Sequence, residues 1–208
     1  MARDDWYRNT SWNEEIADEF FAKLSRARSQ RDQYLVIQAL SLAKHHPDIA
    51  LELVEHYFET RTEDFHDMRA LLARANAYLT LKDLSKAVET YKAVLAREEA
   101  FPQNRSNTYV ELPYLIAKNR IADEYEFALD LLQGHADEPA FPLDRFWWHA
   151  SRALILAEQG HEQAAKEHAR YAIKEANIRK SGLRYHQDIG LVGEDDQAIV
   201  KKLYRLGA

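Results

Sequence analysis

Cysteine is absent from the 208 residues, which removes disulfide frameworks, thiolate metal sites, iron–sulfur clusters and cysteine nucleophiles together. Glycine and proline are scarce, 6 and 5 over the whole length. That is too few for the many tight turns of a sandwich or barrel and suits long helices joined by short connections. No run of about 18 apolar residues occurs, and Met1 to Asp5 mix charges of both signs with no apolar stretch behind them. Neither a membrane span nor a signal peptide is expected. An excess of positive charge is missing as well. The formal net charge of -6 argues against nucleic acid as a partner, because neutralising phosphates needs a positive surface.

Catalytic signatures are equally sparse. There is no G-x-S-x-G elbow, no glycine-rich phosphate loop and no dinucleotide fingerprint. The acid pairs Glu14–Glu15 and Asp195–Asp196 are sequence neighbours, so on a helix they point apart and suit solubility better than acid/base chemistry. Nine histidines invite a metal hypothesis. His161–Glu162 begins like a zinc-protease motif, but Ala165 stands where the second histidine is needed on the same helical face. His161 and His168 lie two turns apart, and His45–His46 fall in a turn where adjacent rings diverge. The expectation is no enzyme activity, no metal and no cofactor.

What the chain does have is an internal period. Ala50, Ala87, Ala128 and Ala165 each sit a few residues into an amphipathic helical pattern, at separations of 37, 41 and 37 residues. Apolar residues around them follow helical spacing. Leu84, Ala87, Val88, Tyr91, Val94 and Leu95 keep the i, i+3, i+4, i+7 rule, as do Ile16, Phe20 and Leu24, and that period does not fit a strand. Ser11 with Glu14 forms a candidate capping box, and Asp48 and Asp83 open or introduce helices. About ten helices are expected.

The second copy reads Leu71, Ala75, Tyr78, Asp83, Ala87, Tyr91 and Val94, and the fourth reads Ala153, Leu156, Gly160, Ala165, Ala169 and Ala172. This order of large, small and aromatic residues resembles the tetratricopeptide repeat (TPR) superfamily, whose period is about 34 residues. A small residue where two helices cross lets the backbones approach, and bulky residues one turn either side fill the gaps. The first copy departs from the pattern, with Gln38 in place of the small residue and His45, His46 and Pro47 in the turn. In the third, Pro113 falls inside the first helix or near its start, and unless it lies in the first turn it removes a backbone donor and predicts a kinked or irregular copy.

The resemblance implies an all-α fold, a right-handed α-α superhelix of about four hairpins in one domain over 1–208. The hairpins fall near 31–64, 68–101, 109–140 and 146–180. An N-terminal helix at 12–28 and a cap at 194–206 would cover the ends of the stack, and 181–194 reads as a glycine-containing loop. In this family the first helix of each hairpin lines a concave groove. Carried onto this sequence, the groove would hold Arg69, Leu72, Asn76, Val110, Trp147 and Ala150, joining apolar contacts to an amide able to bond a peptide backbone. The implied function is a cytoplasmic scaffold or adaptor that binds a protein or peptide. The competing reading is a regulatory or structural subunit whose groove is filled by its own termini and which self-assembles or acts through its convex face. A hydrolase on a helical scaffold is the remote third.

Three local features carry two readings each. Trp147 and Trp148 point about 100° apart on a helix, so at least one is expected in the packing, with Trp147 as the alternative groove anchor. Trp6, Tyr7 and Trp12 are expected to staple the lead-in onto the first hairpin. From Asp48 to Asp67 seven acids are met in sequence only by Arg61, which reads as a solvated helix face or an electrostatically steered surface.

Overall fold

A computed structural model of the chain describes residues 5–137 and 139–208. Among these residues the backbone forms ten α-helices and two 3-10 turns, with no strand. The helices gather into two compact units, Met1–Arg105 and Ser106–Ala208, where the sequence pattern predicts one continuous array.

The first unit holds α1 (Glu14–Leu24), α2 (Arg31–Leu42), α3 (Pro47–Thr60), α4 (Asp67–Thr80) and α5 (Leu84–Ala100). α2 packs on α3 and α4, and α4 packs on α3 and α5. The cap of α1 is Asn13, whose side chain accepts the Ile16 N–H at 2.9 Å. The helix therefore starts at Glu14 and is shorter than the 12–28 expected, and Ser11 lies outside it. Pro47 occupies the first turn of α3, where a missing N–H breaks no helical bond. Asp83 caps α5 by accepting the Lys86 N–H at 3.2 Å.

Alanines set the spacing of this core. Ala39 of α2, Ala50 of α3 and Ala70, Ala73 and Ala77 of α4 have no exposed surface, and Leu35, Leu42, Val54 and Tyr57 fill the space between them. Gln38 is as buried as they are. It holds the place that Ala75 and Ala153 take in the other copies, twelve residues before the marker alanine. At Gln38 the neighbour is the lead-in that precedes α1. The Asn9 N–H donates to Gln38 Oε1 at 3.1 Å, and Gln38 Nε2 donates to the Asn9 carbonyl at 2.8 Å. The amide thus meets both polar groups of a backbone that no ladder satisfies. Around it Trp6 lies 5.5 Å from Phe20 and 4.9 Å from Tyr34, and Tyr7 stacks on Tyr34 at 4.4 Å. The aromatic staple is present, and Gln38 is its polar half.

The second unit holds α6 (Thr108–Asn119), a 3-10 turn (Ala122–Glu124), α7 (Tyr125–Gly134), α8 (Pro142–Glu158), α9 (Glu162–Ala176), a second 3-10 turn (Glu194–Asp196) and α10 (Gln197–Leu206). α8 and α9 form a long hairpin, with α6 packed on α8 and α10 packed on both. The Pro113 copy departs from its neighbours. Pro113 lies inside α6 rather than in its first turn, α7 has only 10 residues, and a 3-10 turn separates the two.

One local motif recurs in both units. α4, α6 and α8 each end on a left-handed residue: Lys82 at φ 61, Arg120 at φ 57 and Gly160 at φ 81. In each case the following N–H closes the last turn: Asp83 to the Tyr78 carbonyl at 2.9 Å, Ile121 to Ile116 at 3.1 Å and His161 to Leu156 at 2.9 Å. This is the Schellman arrangement. Lys82 and Gly160 both stand five residues before their marker alanine, so the repeat is written in the backbone as well as in the side chains.

Candidate functional site

α4 presents a solvent-facing strip in the first unit. Arg69 and Asn76 are exposed and Leu72 between them is half-buried, at the i, i+3, i+7 spacing that puts three side chains on one face. Asn76 Oδ1 accepts the Tyr91 hydroxyl from α5 at 3.2 Å. That bond orients the amide and leaves its two N–H donors without a partner among the described residues. An apolar contact flanked by an oriented amide and a guanidinium can take the carbonyls and one apolar side chain of an extended segment.

The other three predicted groove residues belong to the second unit, and two of them are core. Val110 and Ala150 have no exposed surface. α6 buries Leu112, Ile116 and Ala117 as well as Val110, and α8 turns Phe146, Ala150 and Leu154 inward, so neither residue can touch a partner. Trp147 is half-buried. Its ring stacks on Tyr114 of α6 at 5.6 Å and 21°, and its indole nitrogen is buried without a hydrogen-bond partner. Trp148 packs on the other side, where its Nε1 donates to the Leu132 carbonyl at 2.9 Å. Both tryptophans therefore pack between helices.

The chain's own return segment lies along this part of the second unit. The Leu143 N–H donates to the Gly190 carbonyl at 2.8 Å, and the Tyr114 hydroxyl donates to Asp196 at 2.7 Å, with both side chains buried. Burial and the facing carboxylate push the Tyr114 phenol far above its ordinary range. The residues from Gly190 to Asp196 thus reach α8 at its start and α6 beside the Tyr114–Trp147 stack.

Charge in the first unit is balanced by one cation near in sequence and two that are distant. Asp67 accepts the Tyr57 hydroxyl at 2.8 Å and faces Arg61 Nε at 3.0 Å. Arg97 of α5 reaches Asp64 at 2.5 Å, and Arg74 of α4 reaches Glu55. The acid run is therefore partly paired, and Asp48, Glu52, Glu59 and Glu63 are its exposed remainder. A cavity of about 660 Å³ opens beside Asp64, Phe65, Met68, Arg97 and Phe101. Its one cation already pairs with Asp64 and lies 4.0 Å from the Phe101 ring, so it offers a ligand no uncommitted charge. Among the described residues no group of three or more histidines and acids is arranged to hold a metal ion, and no helix is long and apolar enough to cross a membrane.

No family model, curated protein or solved structure matches this chain. The reading of the site rests on its own geometry.

Sequence reasoning put Arg69, Leu72 and Asn76 on one helical face and missed the partners around them. Nothing in the pattern links Tyr91 to Asn76, Tyr114 to Asp196 or Gln38 to Asn9. Each pair joins residues whose proximity only packing creates.

Proposed function

We propose that the chain is a helical-repeat binding module of the tetratricopeptide type that docks an extended protein segment on the Arg69, Leu72 and Asn76 face of α4. The observation that carries this reading is the Tyr91–Asn76 bond, which orients the amide of an exposed residue on the same face as a partly exposed leucine. Pre-orientation lowers the entropy a peptide must overcome on binding. Three further features support a repeat architecture: the shared alanine register, the shared left-handed helix ends and the hairpin packing of α2 to α5.

A peptide library selected against the protein tests this site. Selected peptides should lose at least about ten-fold in affinity to the Leu72→Glu, Asn76→Ala double variant, consistent with one lost apolar contact and one lost hydrogen bond. Binding unaffected by that variant, or lost equally to Trp147→Ala, would place the site elsewhere.

In the second unit a specific observation favours the competing reading. The Gly190 to Asp196 segment bonds to Leu143 at the start of α8 and to Tyr114, which stacks on the expected groove residue Trp147, and this supports the reading that there the chain supplies its own ligand. The two readings divide between the units: α4 is the open face, and the α6–α8 side is self-filled. Truncation before Ser181 followed by new binding to Trp147-dependent peptides would support self-occupancy.

A further inference from the structure

Two imidazoles meet where α8 packs on α9, in neither of the regions discussed above. His149 Nδ1 lies 3.0 Å from His168 Nδ1, and Arg152 Nε donates to His168 Nε2 at 3.2 Å. A guanidinium can only donate, so His168 Nε2 is the bare nitrogen and the ring carries its hydrogen on Nδ1. That hydrogen is donated to His149 Nδ1, which leaves the hydrogen of His149 on Nε2. The chain of donors runs from Arg152 to His168 to His149, with both rings neutral and in opposite tautomers.

The setting opposes a second proton on either ring. Trp148 lies 4.8 Å from His149 and 5.6 Å from His168, and Tyr171 stacks on His149 at 5.0 Å. The charged groups of α8 that bear on the pair are Arg145 and Arg152. On α9 it is Glu167, while Glu175 is tied to Arg145 at 2.9 Å. From α7, Gln133 accepts from Arg152 at 3.3 Å. Asp137, beyond α7, shares a cavity of about 230 Å³ with Arg145 and His149. Burial first, then His168, Arg152 and Arg145, push His149 down to about 4. Burial and Arg152 lower His168 against the opposing pull of Glu167.

We propose that His149 and His168 form an acid-released latch that closes α9 on α8, shut while both rings are neutral and opened when either takes a proton. The mechanism is a donor count. A proton added to His149 goes to Nδ1, where it faces the His168 N–H. One added to His168 goes to Nε2, where it faces the Arg152 N–H. Each removes a hydrogen bond and sets a new cation beside an existing one. A metal ion bridging the two Nδ1 atoms fits poorly, because it would turn the His168 Nε2–H onto Arg152.

The folded rings bind protons less readily than those of the unfolded chain, so the latch contributes fully above an imidazole's ordinary value near 6.5 and is lost as pH falls toward 4. Nitrogen-15 spectra of the imidazoles test the assignment without any mutation. His168 should show the Nδ1–H pattern, His149 the Nε2–H pattern, and both should titrate below the ordinary value. The same tautomer in both rings, or ordinary titration, overturns the proposal. A second arm uses His149→Gln with His168→Gln, which keeps donors and acceptors but does not titrate. Between pH 7.5 and 5.0 the wild-type folding equilibrium should fall roughly ten-fold more than that of the variant, allowing for the partial exposure of the rings. Equal losses in the two proteins would count against the latch.

Discussion

Replacing Gln38 by leucine tests whether the lead-in is held by polar contacts or by its aromatics alone. Leucine keeps most of the buried volume and removes both bonds to the Asn9 backbone, at 3.1 and 2.8 Å. Each such bond contributes about 1 kcal/mol net, so the loss should be about 2 kcal/mol. If the lead-in stayed docked, the Asn9 N–H and carbonyl would remain dry and unpaired, which costs about 1–3 kcal/mol for each group. Peeling away is therefore the cheaper response, and it exposes the Trp6 and Tyr7 rings now packed on Tyr34 and Phe20. Gln38→Ala adds a cavity and should lose roughly a further 1–2 kcal/mol. Two measurements follow this change. The urea midpoint should drop, and trypsin should cut after Arg8, a bond whose following residue is pinned on both backbone groups in the wild type. A Gln38→Leu protein as stable as the wild type, with the Arg8–Asn9 bond still protected, would refute the clamp and leave the rings as the only fastening.

Other outcomes follow from the same geometry. Lys82 holds a left-handed helix end at φ 61, so Lys82→Gly should raise stability by roughly 1 kcal/mol, read as a higher thermal midpoint; no gain would mean that this side chain offsets the strain elsewhere. Gly190 has φ +70, and a Cβ there would lie 2.6 Å from the Phe141 ring. Gly190→Ala should therefore destabilise the return segment by roughly 1–3 kcal/mol, whereas Gly182→Ala, with open space around it, should cost only the backbone term, and equal effects would refute the steric argument. Tyr57, Tyr114 and Tyr125 donate to Asp67, Asp196 and Glu158. Burial followed by these carboxylates raises all three phenols, Tyr125 to about 12. Since the folded values lie above the unfolded one, this stability is complete below about pH 10 and is lost as pH rises further. Absorbance at alkaline pH should show these three ionising only with unfolding, and smooth titration of all 11 tyrosines while the helices persist would contradict it.

How far each feature could be read in advance follows from the range of the interaction that produces it. Helix identity is local: the 3.6-residue period of Leu84 to Leu95, Asp83 as a cap and Gly160 as a stop all act within one or two turns, so the pattern reports them directly. The alanine register was legible for the same reason, since one small residue per hairpin marks the crossing. The third copy's irregularity was visible in Pro113, though not whether the proline would lie inside α6 or in its first turn.

Tertiary structure decided which faces meet solvent. Arg69, Val110 and Trp147 stand at equivalent places in their copies, yet Arg69 is exposed, Val110 is fully buried and Trp147 is stacked on Tyr114. An amphipathic pattern gives the direction of a side chain but not what arrives to cover it. Coverage came from segments distant in sequence: the lead-in on Gln38, the Gly190 to Asp196 return beside α6 and α8, and His168 brought against His149 by the α8–α9 hairpin. The sequence by itself determined an all-helical chain with an internal repeat, because periodicity and capping are short-range. Only the packed fold decided that Arg69 and Asn76 stay exposed while Val110 and Ala150 are buried, because burial is a property of neighbours that no local pattern encodes.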